Sequence, residues 1–196
     1  MDTLNYPVLL CATSVSLYWF IVFIKVVLIT PKIGKTPNII PKEPWGIFSR
    51  LIMLPLIVLW IYLPWQHLFI NPSYSLPIAF IGAGSCVLAL AMTIYCWYYM
   101  GTAWRIGINP KEKNTLITAG PFKWVRHPIY ALSMLLMLAT FLSVQTKPVF
   151  FIFCMHWVIF YLEAYREEKY LSGIHGEKYQ EYLQQTSRFF PLYFWR

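Results

Sequence analysis

Of the chain's 196 residues 58% are hydrophobic and only 12% charged, with a mean hydropathy of +0.52, whereas a soluble domain is about a quarter charged. The apolar residues come in runs of roughly the 17–25 positions that a helix needs to cross the hydrocarbon core, which excludes an ordinary soluble domain. The net charge of +8 sits between those runs and reads as membrane topology and contact with anionic lipid, not as a nucleic-acid footprint.

Five membrane spans are expected. The first covers about residues 7–29, with Lys25 placed to snorkel toward the headgroups. It lacks a basic lead-in and exceeds a signal-peptide core, so it is read as a mature helix. The second covers about 51–70 and contains Pro55 and Pro64. The third covers about 76–100, where Gly82-Ala83-Gly84 predicts a surface for close helix approach. The fourth and fifth, about 128–144 and 148–165, are separated by Gln145-Thr146-Lys147, a connection short enough to require an antiparallel hairpin. The expected fold is an all-α integral membrane protein: about five transmembrane helices, a C-terminal helical hairpin and cytosolic amphipathic helices. Those last are expected over 166–185, broken near Gly173–Gly176, before an aromatic, interfacial tail.

Charge sets the orientation. Residues 30–50 carry Lys32, Lys35, Lys42 and Arg50 against Glu43, in a Pro-rich stretch that predicts an extended connector. Residues 101–127 carry Arg105, Lys111, Lys113, Lys123 and Arg126 against Glu112. The positive-inside rule places both basic segments and the C-terminus in the cytosol, with the N-terminus outside. Two regions follow: 1–100, with helices one to three and the basic loop, and 101–196, with the polar features. Cys11, Cys86, Cys96 and Cys154 stand singly in apolar runs and read as packing residues. No His/Cys/Asp grouping has metal-ligand spacing, so no metal is expected.

Polar residues concentrate where spans end. Lys123, Arg126 and His127 precede Pro128, which suits the first turn of a helix whose free N–H groups can meet an anion. Glu167 and Glu168 follow the fifth span on the same side. Singly, each residue reads as an anchor, a cap or a solvated charge; together they suit an amphoteric, nucleoside-like ligand.

The ordered pattern Leu116-x-x-x-Gly120-Pro121-Phe122-x-x-x-Arg126-His127-Pro128-x-Tyr130, then Glu167-Glu168, Gly176-x-x-Tyr179-x-x-Tyr182 and Arg188-x-x-Pro191, resembles the isoprenylcysteine carboxyl methyltransferase family. Phospholipid N-methyltransferases are its wider relatives. The resemblance implies S-adenosylmethionine bound in a pocket closed by the C-terminal segment, and a lipophilic acceptor arriving from the bilayer. By position the cofactor contacts are Asn114, Thr115, Leu116, Ile117, Phe122 (usually Tyr in the family), His127, Pro128, Ile129, Tyr130 and Glu167.

One position departs from the pattern. Four residues before Glu167 the family commonly carries an Arg that contacts the substrate carboxylate; here it is Glu163. A carboxylate suits an amine acceptor, as counter-charge or general base. Glu163 and Arg166 are therefore the candidate catalytic residues, with Glu163 and Arg188 on the substrate side. Two other readings remain open: an NADPH-dependent membrane reductase resembling sterol reductases in the terminal Gly-x-x-Tyr-x-x-Tyr pattern, and a non-catalytic lipid-binding membrane protein.

Overall fold

The computed structural model describes residues 5–70, 74–110, 112 and 115–191. Five long helices, α1 (Tyr6–Ile33), α2 (Pro44–His67), α3 (Leu76–Met100), α4 (Pro128–Val144) and α5 (Lys147–His175), precede a short α6 (Glu177–Gln185). Four of them, α1, α2, α3 and α5, are long and apolar enough to cross a bilayer; α4, with 17 residues, is a shorter apolar helix beside them. Large apolar side chains project outward along the bundle, among them Phe23, Leu51, Val58, Ile81, Leu88 and Phe151. Such a surface would drive aggregation in water, and hydrocarbon is its solvent. This is a multi-pass membrane protein.

Two boundaries differ from those expected. The connector read over 30–50 is shorter, because α1 continues through Pro31 to a left-handed Gly34 at φ 67°, and α2 begins at Pro44 rather than near residue 51. Proline at a helix start leaves no donor unmet, so the Pro-rich stretch both ends its loop and opens a helix. The fifth span likewise continues past Tyr165 to His175 as one helix of 29 residues. Arg166, Glu167, Glu168 and Lys169 are good helix formers with nothing to stop the turn. The break comes at Gly176, φ 53°, and α6 follows it.

The interior draws on both halves of the chain: Cys11, Met53, Cys86, Leu136 and Ile152 belong to one buried cluster fed by α1 to α5. Helices α3 and α4 approach closely at Gly82. A methyl group there would stand 2.6 Å from Ser143 Oγ and 2.7 Å from the Ala139 carbonyl oxygen, whereas Gly84 faces open space. Two neutral hydrogen bonds anchor α4 on its other sides: Tyr18 and Ser133 share a 2.6 Å hydroxyl–hydroxyl bond, and Trp60 Nε1 donates to Thr140 Oγ1 at 3.0 Å. Cys11, Cys86 and Cys96 are buried free thiols, the first two with sulfurs 3.7 Å apart. The hairpin between α4 and α5 turns on Gln145, left-handed at φ 53°.

At one end of the bundle the two basic connections interlock. Asn38 Nδ2 donates to the carbonyls of Ile106 (3.1 Å) and Ile108 (2.8 Å), and Ile106 N returns a bond to Pro37 O at 2.9 Å. Lys35 (3.1 Å) and Arg105 (3.0 Å) both reach Glu112, and the Tyr170 hydroxyl of α5 donates to the Asn109 carbonyl at 2.9 Å. The segments carrying the basic residues therefore share one face of the molecule with the polar end of α5.

Candidate active site at the polar end of the bundle

The site is built where the start of α4, the end of α5 and the C-terminal segment converge. Ahead of α4, Gly120 turns the chain at φ 60° beneath Tyr99. A side chain there would lie 2.5 Å from the Tyr99 ring, so only glycine fits. Phe122 is buried in the short helical turn that follows, and its carbonyl accepts the Tyr182 hydroxyl of α6 at 2.6 Å. Burial pushes the phenols of Tyr179 and Tyr182 well above their ordinary range, so both stay neutral. Residues 125–127 then run parallel to residues 187 and 188. Arg126 N donates to Ser187 O at 2.8 Å and His127 N to Arg188 O at 3.1 Å.

Glu168 locks this closure. Arg126 Nε reaches its Oε1 at 2.9 Å, and Arg188 grips it bidentately, Nε to Oε1 at 3.0 Å and Nη2 to Oε2 at 2.7 Å. Arg126 Nη1 also donates to the carbonyls of Leu183 and Thr186. Bonding to Glu168 holds the Arg188 guanidinium above even its usual high pKa. Arg188, a substrate-side candidate from the sequence, thus has its fork on Glu168 and lies over the Tyr161 ring at 5.1 Å.

His127 and Glu167 face each other beside that lock. His127 Nε2 stands 3.3 Å from Glu168 Oε1, and Nδ1 stands 3.7 Å from Glu167 Oε2, beyond direct bonding. Glu167 accepts the Tyr130 hydroxyl at 3.1 Å, and its side chain is 29% exposed. It has no guanidinium within ion-pair distance among the described residues, unlike Glu43, Glu163 and Glu168. The rings of His127, Tyr130 and Phe160 stack in series, 5.4 and 5.2 Å apart and within 8° of parallel. Pro128 opens α4 and is buried, and Ile129 packs against the main core.

The remaining candidates fall in two places. Thr115 is exposed, and Leu116 and Ile117 are half-buried, in the segment leading to the Gly120 turn; no hydrogen bond joins them to His127 or Glu167. Asn114 lies outside the described residues. Glu163 and Arg166, one turn back along α5, face the start of α2. Trp45 Nε1 donates to Glu163 Oε1 at 3.0 Å. Arg166 Nη2 donates to Glu43 at 2.6 Å, its Nη1 stands 3.6 Å from Glu163 Oε2, and its guanidinium covers the Trp45 ring at 5.4 Å. Glu43, Trp45 and Arg50 were missed as site residues because they were read as a basic connector. The available signal was Pro44, which as a helix start places Trp45 and Arg50 in the first two turns of α2, at the membrane boundary. Among the described residues no group of His, Cys, Asp or Glu is arranged to hold a metal ion.

Residues 80–173 match the model of the isoprenylcysteine carboxyl methyltransferase family. The fold is similar over 98% of this chain and 69% of the other to the eukaryotic intramembrane Ras methyltransferase ICMT, with TM-score 0.67 and 18% identity. Over 107 residues the chain is 28% identical to the cobalt-zinc-cadmium resistance protein CzcN of Cupriavidus metallidurans, a match covering 54% of this chain and 49% of that protein. Over 82 residues it is 28% identical to 1-acyl-sn-glycerol-3-phosphate acyltransferase delta of Mus musculus, covering 41% of this chain and 18% of that protein. The match thus spans about half of the first relative and under a fifth of the second. Residues 80–173, just under half of the chain, are thus similar to the isoprenylcysteine carboxyl methyltransferase family, and they carry His127, Glu167 and Glu168 together at the polar end of the bundle.

Proposed function

We propose that this protein is an integral membrane methyltransferase that transfers the methyl group of S-adenosylmethionine to a lipophilic acceptor entering from the bilayer. The observation that carries the reading is Glu167, an ionisable carboxylate beside the His127 ring with no guanidinium of its own among the described residues. A cofactor that brings its own ammonium and ribose hydroxyls fits such a carboxylate. The flat ring series His127, Tyr130 and Phe160 fits a planar base or a sulfonium alongside it. When bound, the cofactor supplies an electrophilic methyl carbon for in-line displacement.

The chain's own residues then have modest tasks. Glu167, His127 and Tyr130 orient the cofactor, and Thr115, Leu116, Ile117, Phe122, Pro128 and Ile129 form the wall about it. Glu168, Arg126 and Arg188 hold the C-terminal segment closed, which excludes water and fixes alignment. Glu163 and Arg166 border the acceptor side. Residues 101–196 supply the cofactor side, and residues 1–100 the supporting bundle. The basic loops and the C-terminus face the cytosol, and the N-terminus lies outside.

Calorimetry of S-adenosylmethionine against detergent-purified protein tests the reading. Wild type is expected to bind, with Glu167→Gln and His127→Ala each weakening affinity at least tenfold and leaving the protein folded. No binding to folded wild type overturns it.

A further inference from the structure

Among the described arginines, Arg105, Arg126, Arg166 and Arg188 each have a carboxylate within ion-pair distance. Arg50 has none. Its Nη2 donates to the Ile106 carbonyl at 2.7 Å, and its buried Nε has no hydrogen-bond partner among the described residues. A buried donor left unmet is destabilising, so this edge of the guanidinium is matched to an acceptor that the described residues do not supply. The surroundings narrow the choice. Arg50 lies within electrostatic reach of Tyr130 and of Glu163, a cofactor-side and an acceptor-side candidate. Glu163 is itself satisfied by Trp45 and neighboured by Arg166, so a further anion near Arg50 does not meet a bare carboxylate. Arg50 also lies outside residues 80–173, so the family match assigns it nothing.

We propose that Arg50 is the specificity-determining residue for the acceptor, holding an oxyanion of its head group, a carboxylate or a phosphate, on the guanidinium's unmet Nε edge. The α5 position occupied by Glu163 thus lacks a cation, and α2 supplies one from across the site. This rests on the methyltransferase reading only for the word acceptor; the anion site itself is independent of it. A carboxylate held there is already deprotonated and can attack the methyl carbon with no proton to remove. The C–S bond breaks and its electron pair stays on sulfur. A phosphate held there instead positions a neighbouring group of the same lipid.

The test is direct binding of tritiated probes to the full chain in detergent: S-farnesylcysteine against its carboxamide, and dioleoyl phosphatidic acid against dioleoylglycerol. Wild type is expected to prefer the anionic member of one pair at least tenfold, and that pair identifies carboxylate or phosphate. Arg50→Gln should abolish the preference with affinity for S-adenosylmethionine within twofold. Arg50→Lys, which lacks the Nε edge, should reduce the preference at least threefold and decides the matter if the Gln variant does not fold. No anionic preference in wild type, or a preference unchanged in these variants, overturns the proposal. Failure of wild type to bind S-adenosylmethionine, with the anionic preference intact, removes the methyltransferase reading and leaves the Arg50 site standing.

Discussion

Helix α4 passes through two unlike interiors. Along its length it is held by neutral groups: Tyr18 on Ser133, Trp60 on Thr140, and the bare backbone of Gly82 against Ala139 and Ser143. At its first turn, Arg126 and His127 meet Glu167 and Glu168, and charge does the holding. Neutral hydrogen bonds need only one partner each to survive in a low-dielectric bundle, whereas a buried ion needs full compensation or it destabilises the fold. The charges are therefore confined to the end where two chain segments close over them, and there Glu167 and Arg50 are the unevenly compensated groups among the described residues.

The sharpest way to break this contrast is to separate the two adjacent glutamates. Glu168→Ala leaves Arg126 and Arg188 without their shared carboxylate, and loss of such a buried partner costs about 3–5 kcal/mol. A large drop in thermal stability is expected, with early proteolysis of the segment after Gly176. Glu167→Gln should leave melting nearly unchanged and remove cofactor affinity. If the two variants behave alike, lock and ligand site are not distinct.

In the neutral interior, Gly82→Leu forces a side chain into the backbone of α4. Overpacking of this kind costs about 1–3 kcal/mol, and the control Gly84→Leu, which faces open space, should be silent in the same melting experiment. Tyr18→Phe removes one hydroxyl and leaves Ser133 to its own helix, for which a loss of about 1 kcal/mol is expected by thermal unfolding.

The smallest effect is acid-dependent. Burial opposes ionisation of Glu112, but hydrogen bonds from Arg105, Lys35 and Asn109 outweigh it and hold its pKa below the usual carboxylate value. A carboxylate depressed in the folded state contributes stability that is fully present above its unfolded pKa, about 4.3. That contribution disappears as pH falls through the lower folded value. Amide exchange near residues 105–110, corrected for intrinsic rates, should therefore rise on acidification below about pH 4, and Glu112→Gln should remove that pH dependence.

Much of this was legible in the chain. Span-length apolar runs gave the bundle, Gln145-Thr146-Lys147 gave the hairpin, and the order of Gly120, His127 and Glu167 gave the resemblance to the isoprenylcysteine carboxyl methyltransferase family. Local pattern misplaced the start of α2 and the end of α5, because hydropathy reports where a helix leaves hydrocarbon and not where its hydrogen bonding stops.

By itself the sequence determined that the chain must span a membrane and where its ionisable residues could be tolerated, since both follow from transfer of side chains into hydrocarbon. It could not decide which charges cancel. Arg188 and Glu168 are 20 residues apart, and Arg126 and Glu168 42. Arg50 and Glu167 resemble any other basic or acidic residue along the chain. Only the packing of α2, α4, α5 and the C-terminal segment fixes who is paired. Coulombic and hydrogen-bond energies depend on distance in space, and separation along the chain says nothing of it.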